Sequence, residues 1–333
     1  MKPLYLLVLA IITIVNRATC ELIYGSVILD WLWPNETVKA DFIASGEYDP
    51  EVCQLSALQI GDYNTLFVTV PRLRSKDGVP AGLNTVYLTD EENQKGVLVP
   101  YPNWEFNKLG NCSALQLPMS MAIDPRTGFL YIIDVGRVGI LSATDPPTNL
   151  CPAKIVVLDT TNNGSIVRSH EFPDSVVSGS KNSLNDIVLD YVDPDDVTGV
   201  RYAYISDTMG QQLVVFDFTT NNSWSFSHSA SMSYDEDSVL SINGQTFNFT
   251  QGINGIALSP TFNYVYYSAL GSKKLWQIPT WVLRDKDADF VGNLRLVGRK
   301  KSNSDALLFG HRGLYYAALG YNAIYRYDMA CVR

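Results

Sequence analysis

Apolar residues along this chain come in short runs rich in Val, Ile, Leu, Tyr and Phe, and Gly, Asn, Asp and Pro separate them. Such runs predict β-strands: β-branched and aromatic side chains fit a pleated surface, and the intervening residues suit bends. One run recurs. LFVTV from Leu66 has counterparts in LYIID from Leu130, AYISD from Ala203, VYYSA from Val265 and LYYAA from Leu314, at separations of 64, 73, 62 and 49 residues. Each copy follows one apolar run (SALQI, SMAID, NDIVLD, NGIALSP, SDALLF) and precedes another (NTVYLT, KIVVLDT, LVVFDF, LWQIPT, AIYRYD). A more variable strand candidate stands ahead of each set: VKADFIA, GVLVPYP, SIVRSHEF, SWSFSHS and LRLVGRK. Helical periodicity is nearly absent, and only Thr280 to Lys286 reads as a short helical turn.

The repeat predicts four-stranded antiparallel meanders. One such sheet cannot bury both faces alone, so the copies must pack face to face around a common axis, as in a β-propeller. A two-sheet sandwich accounts for many short strands but not for a repeat of about sixty residues. The chain is thus expected to be all-β, with five four-stranded repeats visible. It stops just after the third strand of the fifth repeat, so either five blades close the ring or a sixth is absent. A strand-like segment, Glu21 to Trp33, is left over, and such a segment usually closes a propeller by pairing with its last blade.

The opening MKPLYLLVLAIITIVNRATC has a positive start at Lys2, a short apolar core from Leu4 to Val15, and small residues at Ala18 and Cys20. It reads as a secretory signal peptide over residues 1–20, leaving 21–333 as a single propeller domain. Its apolar run is too short for a spanning helix, which needs about 20 residues, and no membrane association is expected. Five N-x-S/T sequons, at Asn35, Asn111, Asn163, Asn221 and Asn248, fit an exported, glycosylated chain. Beyond Cys20 the cysteines are Cys53, Cys112, Cys151 and Cys331, an even set that allows three pairings. Cys112 with Cys151 is favoured because both lie in connections bordering one repeat, which leaves Cys53 with Cys331; free thiols are the alternative. With neither a C-x-x-C nor a Cys/His cluster, a structural zinc site is not expected.

Net charge is −9 and no basic run exceeds Arg299-Lys300-Lys301. That argues against nucleic acid, whose phosphates need a basic face. An acidic surface suits a cationic ligand, although an ordinary solvated surface explains it better.

Several phrases together resemble the yellow and major royal jelly protein family: LFVTVPRLRSKDGVPAGLNTV from Leu66, LVPYPNW from Leu98, MAIDPRTGFLYIIDVGR from Met121, CPAKIVVLDT from Cys151, AYISDTMGQQLVVFDFTTNNSW from Ala203 and GINGIALSP from Gly252. The resemblance runs from about Trp31 to Tyr327. It implies a secreted six-bladed propeller, with members implicated in cuticle pigmentation, glandular secretion and, in some blood-feeding insects, capture of biogenic amines; a dopachrome-converting activity is attributed to some relatives. Two departures stand out. The family's usual Cys is missing from IDPRTG, which is a further reason to pair Cys151 with Cys112. The family also continues into a final blade beyond Asn322 to Tyr327, so a six-bladed pattern with its last blade absent or incomplete is the expectation.

In a propeller the first strand of each blade lines the axis, and polar groups gather where those strands begin. The positions concerned are Ser56, Ser120, Asn185 with Asp186, Asn254, and Ser304 with Asp305. They either line a small polar pocket or cap strand ends around water. Asn185 and Asn254 are candidates to hydrogen-bond a small molecule. Asp134 and Asp207 end second strands before tight turns, where an Asp commonly bonds the turn; the functional alternative sets Arg137 and Asp207 at the channel mouth, with Asp207 meeting an ammonium group. The phrases LNDIVLD and GINGIALSP are also similar to calcium-dependent lactonase propellers, which makes an axial calcium conceivable, though no early axial glutamate is identifiable: Glu47 and Glu51 fall in an expected loop. His170, His228 and His311 fall in outer strands or turns, and nucleophile motifs are missing. No cofactor is expected. The favoured reading is a secreted carrier for an aromatic amine or catechol, binding through Ser120, Asn185, Asp207, Asn254, Ser304 and Arg137. A dopachrome-type isomerase and a storage or structural secretion are the alternatives.

Overall fold

The structure is a computed structural model that describes residues 28–62, 65–87, 97–193, 195, 199–310 and 312–327. The leader, His311 and Cys331 lie outside the described residues.

Five antiparallel sheets follow one another along the chain. Blade 1 comprises Leu58–Ile60, Thr65–Thr69, Leu83–Tyr87 and Val99–Pro100. Blade 2 comprises Pro118–Asp124, Phe129–Asp134, Lys154–Asp159 and Ser165–Glu171, and blade 3 comprises Leu184–Asp190, Tyr202–Asp207, Gln212–Asp217 and Asn222–Ser227. Blade 4 comprises Ile253–Leu258, Tyr264–Ala269, Lys274–Pro279 and Arg295–Arg299; blade 5 has Leu307–Gly310, Gly313–Ala318 and Ala323–Tyr327. The three-run core of every repeat therefore forms as expected.

The middle strands read as unbroken apolar runs because they are covered on both faces. Alternation with period two sends Leu130, Ile132, Val156 and Leu158 into the layer shared with blade 1. Tyr131, Ile133, Ile155 and Val157 enter the layer shared with blade 3, against Leu184, Ile187, Ala203 and Ile205. Each fully buried side chain of this size contributes about 1.5–3 kcal/mol relative to exposure.

Inner strands pack in the sequence 1, 2, 3, 4, 5, with no comparable packing of 5 onto 1 among the described residues. The flanks of that opening carry exposed apolar side chains, Leu58 and Ile60 on blade 1 and Leu308 and Ile324 on blade 5.

Three expectations are corrected. First, GVLVPYP, SIVRSHEF, SWSFSHS and LRLVGRK hydrogen-bond to the set before them, as the fourth strands of blades 1 to 4. Second, VKADFIA lies within helix α1, Glu36–Ser45, whose first turn is capped by Asn35 Oδ1 accepting from Val38 N at 3.0 Å. Gly46, at φ 79°, closes it in a left-handed conformation that favours glycine. Further short helices, Ser229–Met232 and Phe290–Asn293, join the expected turn at Thr280–Leu283. Third, the described end of the leftover segment, from Ile28 to Trp33, runs beside blade 1, where Trp31 pairs with Leu98 in parallel, while residues 21–27 of that segment lie outside the described residues.

Cys112 and Cys151 are bonded, with Cα atoms 5.4 Å apart, joining the two connections that border blade 2. Cys53 is half-buried and bonded to no other cysteine among the described residues, and its expected pairing with Cys331 falls outside them; its Sγ lies within hydrogen-bond reach of Asp49 O and Gly78 O, and burial pushes it up to about 12.

Candidate functional site

The first strands of blades 2, 3 and 4 each slip register near their start, between Pro118 and Ser120, Leu184 and Asp186, and Ile253 and Ile256. Such irregularities re-aim side chains and are common beside binding sites. Asn185 and Asn254 occupy these slips in blades 3 and 4, and Asn185 Nδ2 donates to Asn254 Oδ1 at 2.8 Å. Asp305, just ahead of the first strand of blade 5, bonds Asn254 in turn. A Cβ on Gly255 would lie 2.7 Å from Asp305 O, so a glycine here permits this approach of blades 4 and 5.

Asp186 completes the group. Its Oδ1 accepts from Ile187 N at 2.9 Å, its Oδ2 accepts from Ile256 N of blade 4 at 3.1 Å, and Ser120 of blade 2 also bonds it. Burial dominates its titration and, with a smaller push from Asp305, raises it to about 7 despite these donors. Some of its surface remains accessible even though protein surrounds its carboxyl, as expected for a group facing an axial channel. Asp305 is also raised by burial, but its residue is exposed, and solvent weakens the effect.

A repeated hydroxyl clasp fixes the backbone of this region. Ser206 Oγ accepts from Asp186 N and donates to Asn254 O in the next blade at 2.6 Å. Thr69 Oγ1 does the same between blades 1 and 2, accepting from Ala57 N and donating to Met119 O. Between blades 4 and 5 the arrangement changes: Lys300 Nζ donates to Ser268 Oγ at 2.5 Å and to Ser304 Oγ at 2.7 Å. Lys300 is 4 % exposed and has no carboxylate in ion-pairing reach among the described residues, so burial lowers it to about 7.

The six sequence candidates therefore separate. Ser120, Asn185 and Asn254 come together at the axis. Ser304 is buried at the Lys300 clasp instead. Asp207 is fully buried, and its carboxylate accepts from Ser183 N at 2.8 Å, Gly210 N at 3.0 Å and Gln212 Nε2 at 3.1 Å, which is the turn-bonding role. Arg137 is 5 % exposed and donates to Asn149 Oδ1 and Asn182 O, tying blade 2 to the entry of blade 3. Asp186 and Asp305, named in the sequence only as lining positions, supply the axial carboxyl groups. Ser56 N donates to Thr69 O at the start of blade 1.

Further along the same strands a cavity of about 380 Å³ is lined by Ile123, Ile187, Leu189, Ile256, Leu258 and Leu307, with Tyr191, Phe262 and Phe309 among its aromatic walls. The Tyr191 and Phe262 rings lie 5.3 Å apart. Polar groups followed by an apolar, aromatic cavity suit a small amphipathic molecule with a hydrogen-bonding or cationic head. Calcium fits less well: both Asp186 oxygens accept backbone N–H groups, and Asn254 Oδ1 accepts from Asn185, so the oxygens a hard cation needs face protein donors.

Of the sequons, Asn35, Asn163, Asn221 and Asn248 are exposed and Asn111 is half-buried. Among the described residues no helix is long and apolar enough to cross a membrane.

Comparison with known proteins gives a consistent picture. Residues 118–331 match the family model described as major royal jelly protein. The chain is 33% identical over 269 residues to the protein yellow of Drosophila melanogaster, covering 78% of this chain and 47% of that protein. It is 33% identical over 268 residues to the protein yellow of Drosophila pseudoobscura pseudoobscura, covering 78% and 45%. The chain thus spans about half the length of these curated relatives. Among solved structures it resembles a chain of the nidogen/laminin complex, with a TM-score of 0.50 and 12% identity over 86% of this chain and 80% of that one, a likeness of fold alone.

Proposed function

Because the chain belongs to the yellow and major royal jelly protein family, we propose that it is a secreted, glycosylated carrier that binds an aromatic amine or catechol on the propeller axis. The observation that carries this reading is the meeting of Asn185, Asn254 and Asp186 beside an apolar cavity of about 380 Å³. The aromatic body lies against the Tyr191 and Phe262 side, and the amine or hydroxyl head meets the two amides and the Asp186 carboxylate. Asp186 replaces Asp207 as the acidic partner, because the Asp207 oxygens are held by three donors of their own blade. Glycans on the sequon asparagines are compatible with the local bonding: Asn35 and Asn221 accept through Oδ1, leaving Nδ2 as the attachment atom.

The test is calorimetric titration of the secreted protein with dopamine and serotonin, beside an absorbance assay for dopachrome loss. Saturable heat near one site per chain, reduced about tenfold by Asp186→Asn, is expected without turnover. A carboxyl group poised near 7 is also what a tautomerase needs for proton transfer. Dopachrome loss that disappears in Asp186→Asn would therefore replace the carrier reading with the enzyme. Neither heat nor turnover would leave a structural or storage secretion.

A further inference from the structure

A second cavity, of about 330 Å³, lies away from the axis, between helix α1, the Asp77–Pro80 loop and the turn Glu105–Asn107. Its apolar wall is built from Phe42 and Trp104, whose rings are 6.0 Å apart, with Val79 and Pro80. Trp104 is half-buried and stacked on Trp33, with ring centroids 5.2 Å apart and planes inclined by 29°. Helix α1 has no buried residue of its own, and it is seated by this aromatic cluster together with the Lys39–Asp30 ion pair.

The charges around the cavity decide what it takes. Arg72 on the floor is 2 % exposed, and its guanidinium donates to four backbone carbonyls, those of Val79, Gln116, Pro80 and Asn107. Those oxygens enclose the cation and hold it as a structural brace, so it offers little to an incoming anion. Glu105 is 3.6 Å from Lys108 and both are exposed. Glu47 and Asp77 are exposed at the rim and make no close ion pair among the described residues, Asp77 acting on the enclosed Arg72 only through a longer-range attraction. The accessible charge is therefore negative, and it faces an aromatic wall. Carboxylates beside aromatic faces attract an organic ammonium ion by Coulomb and cation–π forces together.

We infer that this cavity is a second binding site, independent of the axial one, for a small organic cation with an apolar body. The ammonium lies between Glu47 and Asp77, and the body packs on Trp104 and Phe42. Because both carboxylates are exposed and screened by salt, binding is weak and falls as ionic strength rises.

The probe is benzyltrimethylammonium, a permanent cation that donates no N–H bond, titrated into the whole secreted protein and followed by Trp fluorescence and calorimetry. Benzyl alcohol serves as the uncharged control. The double variant Glu47→Gln, Asp77→Asn changes only exposed side chains. It is expected to bind the probe about tenfold more weakly, while Asp186→Asn binds it as the unaltered protein does. No saturable binding, unchanged affinity in the double variant, equal affinity for benzyl alcohol, or loss of binding in Asp186→Asn would each overturn the proposal. The last outcome would assign the probe to the axis and leave the axial reading standing.

Discussion

Asp207 and Asp186 stand on paired strands of blade 3, one register step apart: Leu184 faces Asp207, and Asp186 faces Ser206. Burial pushes both carboxyl groups upward. They differ in where their donors come from. Asp207 is fully buried and bound by Ser183, Gly210 and Gln212 of its own blade. Asp186 receives one neighbouring backbone N–H, one from blade 4 and the Ser120 hydroxyl of blade 2, and keeps accessible surface at the axis. Neither burial nor a shifted titration separates a structural carboxylate from a candidate binding one. Accessibility and the number of elements that converge on the group do.

The largest effect expected from this comparison is on folding. Asp134 is the counterpart of Asp207 in blade 2, accepting from Gln116 N, Leu117 N and Gly136 N while its Oδ2 lies 3.6 Å from the buried Lys154 Nζ. Asp134→Ala removes the partner of a buried cation and leaves three donors open, a loss of about 3–5 kcal/mol. Asp207→Ala leaves donors open without stranding a cation so closely, and about 2–3 kcal/mol is expected. Urea unfolding of both variants checks the order. If Asp207→Ala unfolds like the unaltered protein but loses ligand, the division between the two aspartates is wrong.

The strand pattern was legible because packing on both faces turns each blade's middle strands into uninterrupted apolar runs, as in Leu130 to Ile133. Which set a fourth strand joins was not legible, since LRLVGRK borders two sets and only pairing of Lys274 with Arg299 decides. Helix α1 was concealed by the alternation in VKADFIA, while its Asn35 cap and Gly46 stop were visible in retrospect. At the site, their place at the start of each blade's first strand located Asn185 and Asn254 near the axis. The register slips that turn them toward each other leave no periodic signature, and Ser304 was misplaced because Lys300 reaches it from the end of blade 4.

A middle-sized effect concerns that joint. The amine of Lys300 is held near 7 by burial, whereas a free lysine titrates near 10.4. Between these values the unfolded chain binds a proton that the folded chain does not, so stability rises with pH across the window. Lys300→Met, which keeps most of the volume, is expected to remove a slope of up to about 1 kcal/mol per pH unit between pH 7 and 9. Thermal or urea unfolding at several pH values within that window reads it. An unchanged slope would show that the Ser268 and Ser304 hydroxyls solvate the ammonium well enough to keep it charged.

The smallest stability effect and the sharpest functional one fall on Asp186. Its folded value, raised to about 7, means that the folded chain holds a proton more tightly than the unfolded chain between about pH 4 and 7. Stability should therefore fall as pH rises through that range, the reverse of the Lys300 contribution. Asp186→Asn removes this titration, but it exchanges one carboxylate acceptor for an NH₂ group facing a backbone donor, so the net change at pH 7 is expected to stay within about 1 kcal/mol. Amine binding carries the discriminating signal. In the unaltered protein, affinity for dopamine should increase as Asp186 ionises through pH 7; in Asp186→Asn that inflection should vanish. The Asp207 variants, wherever they remain folded, should retain it. An inflection that survives in Asp186→Asn and disappears in Asp207→Asn would exchange the roles assigned to the two carboxylates.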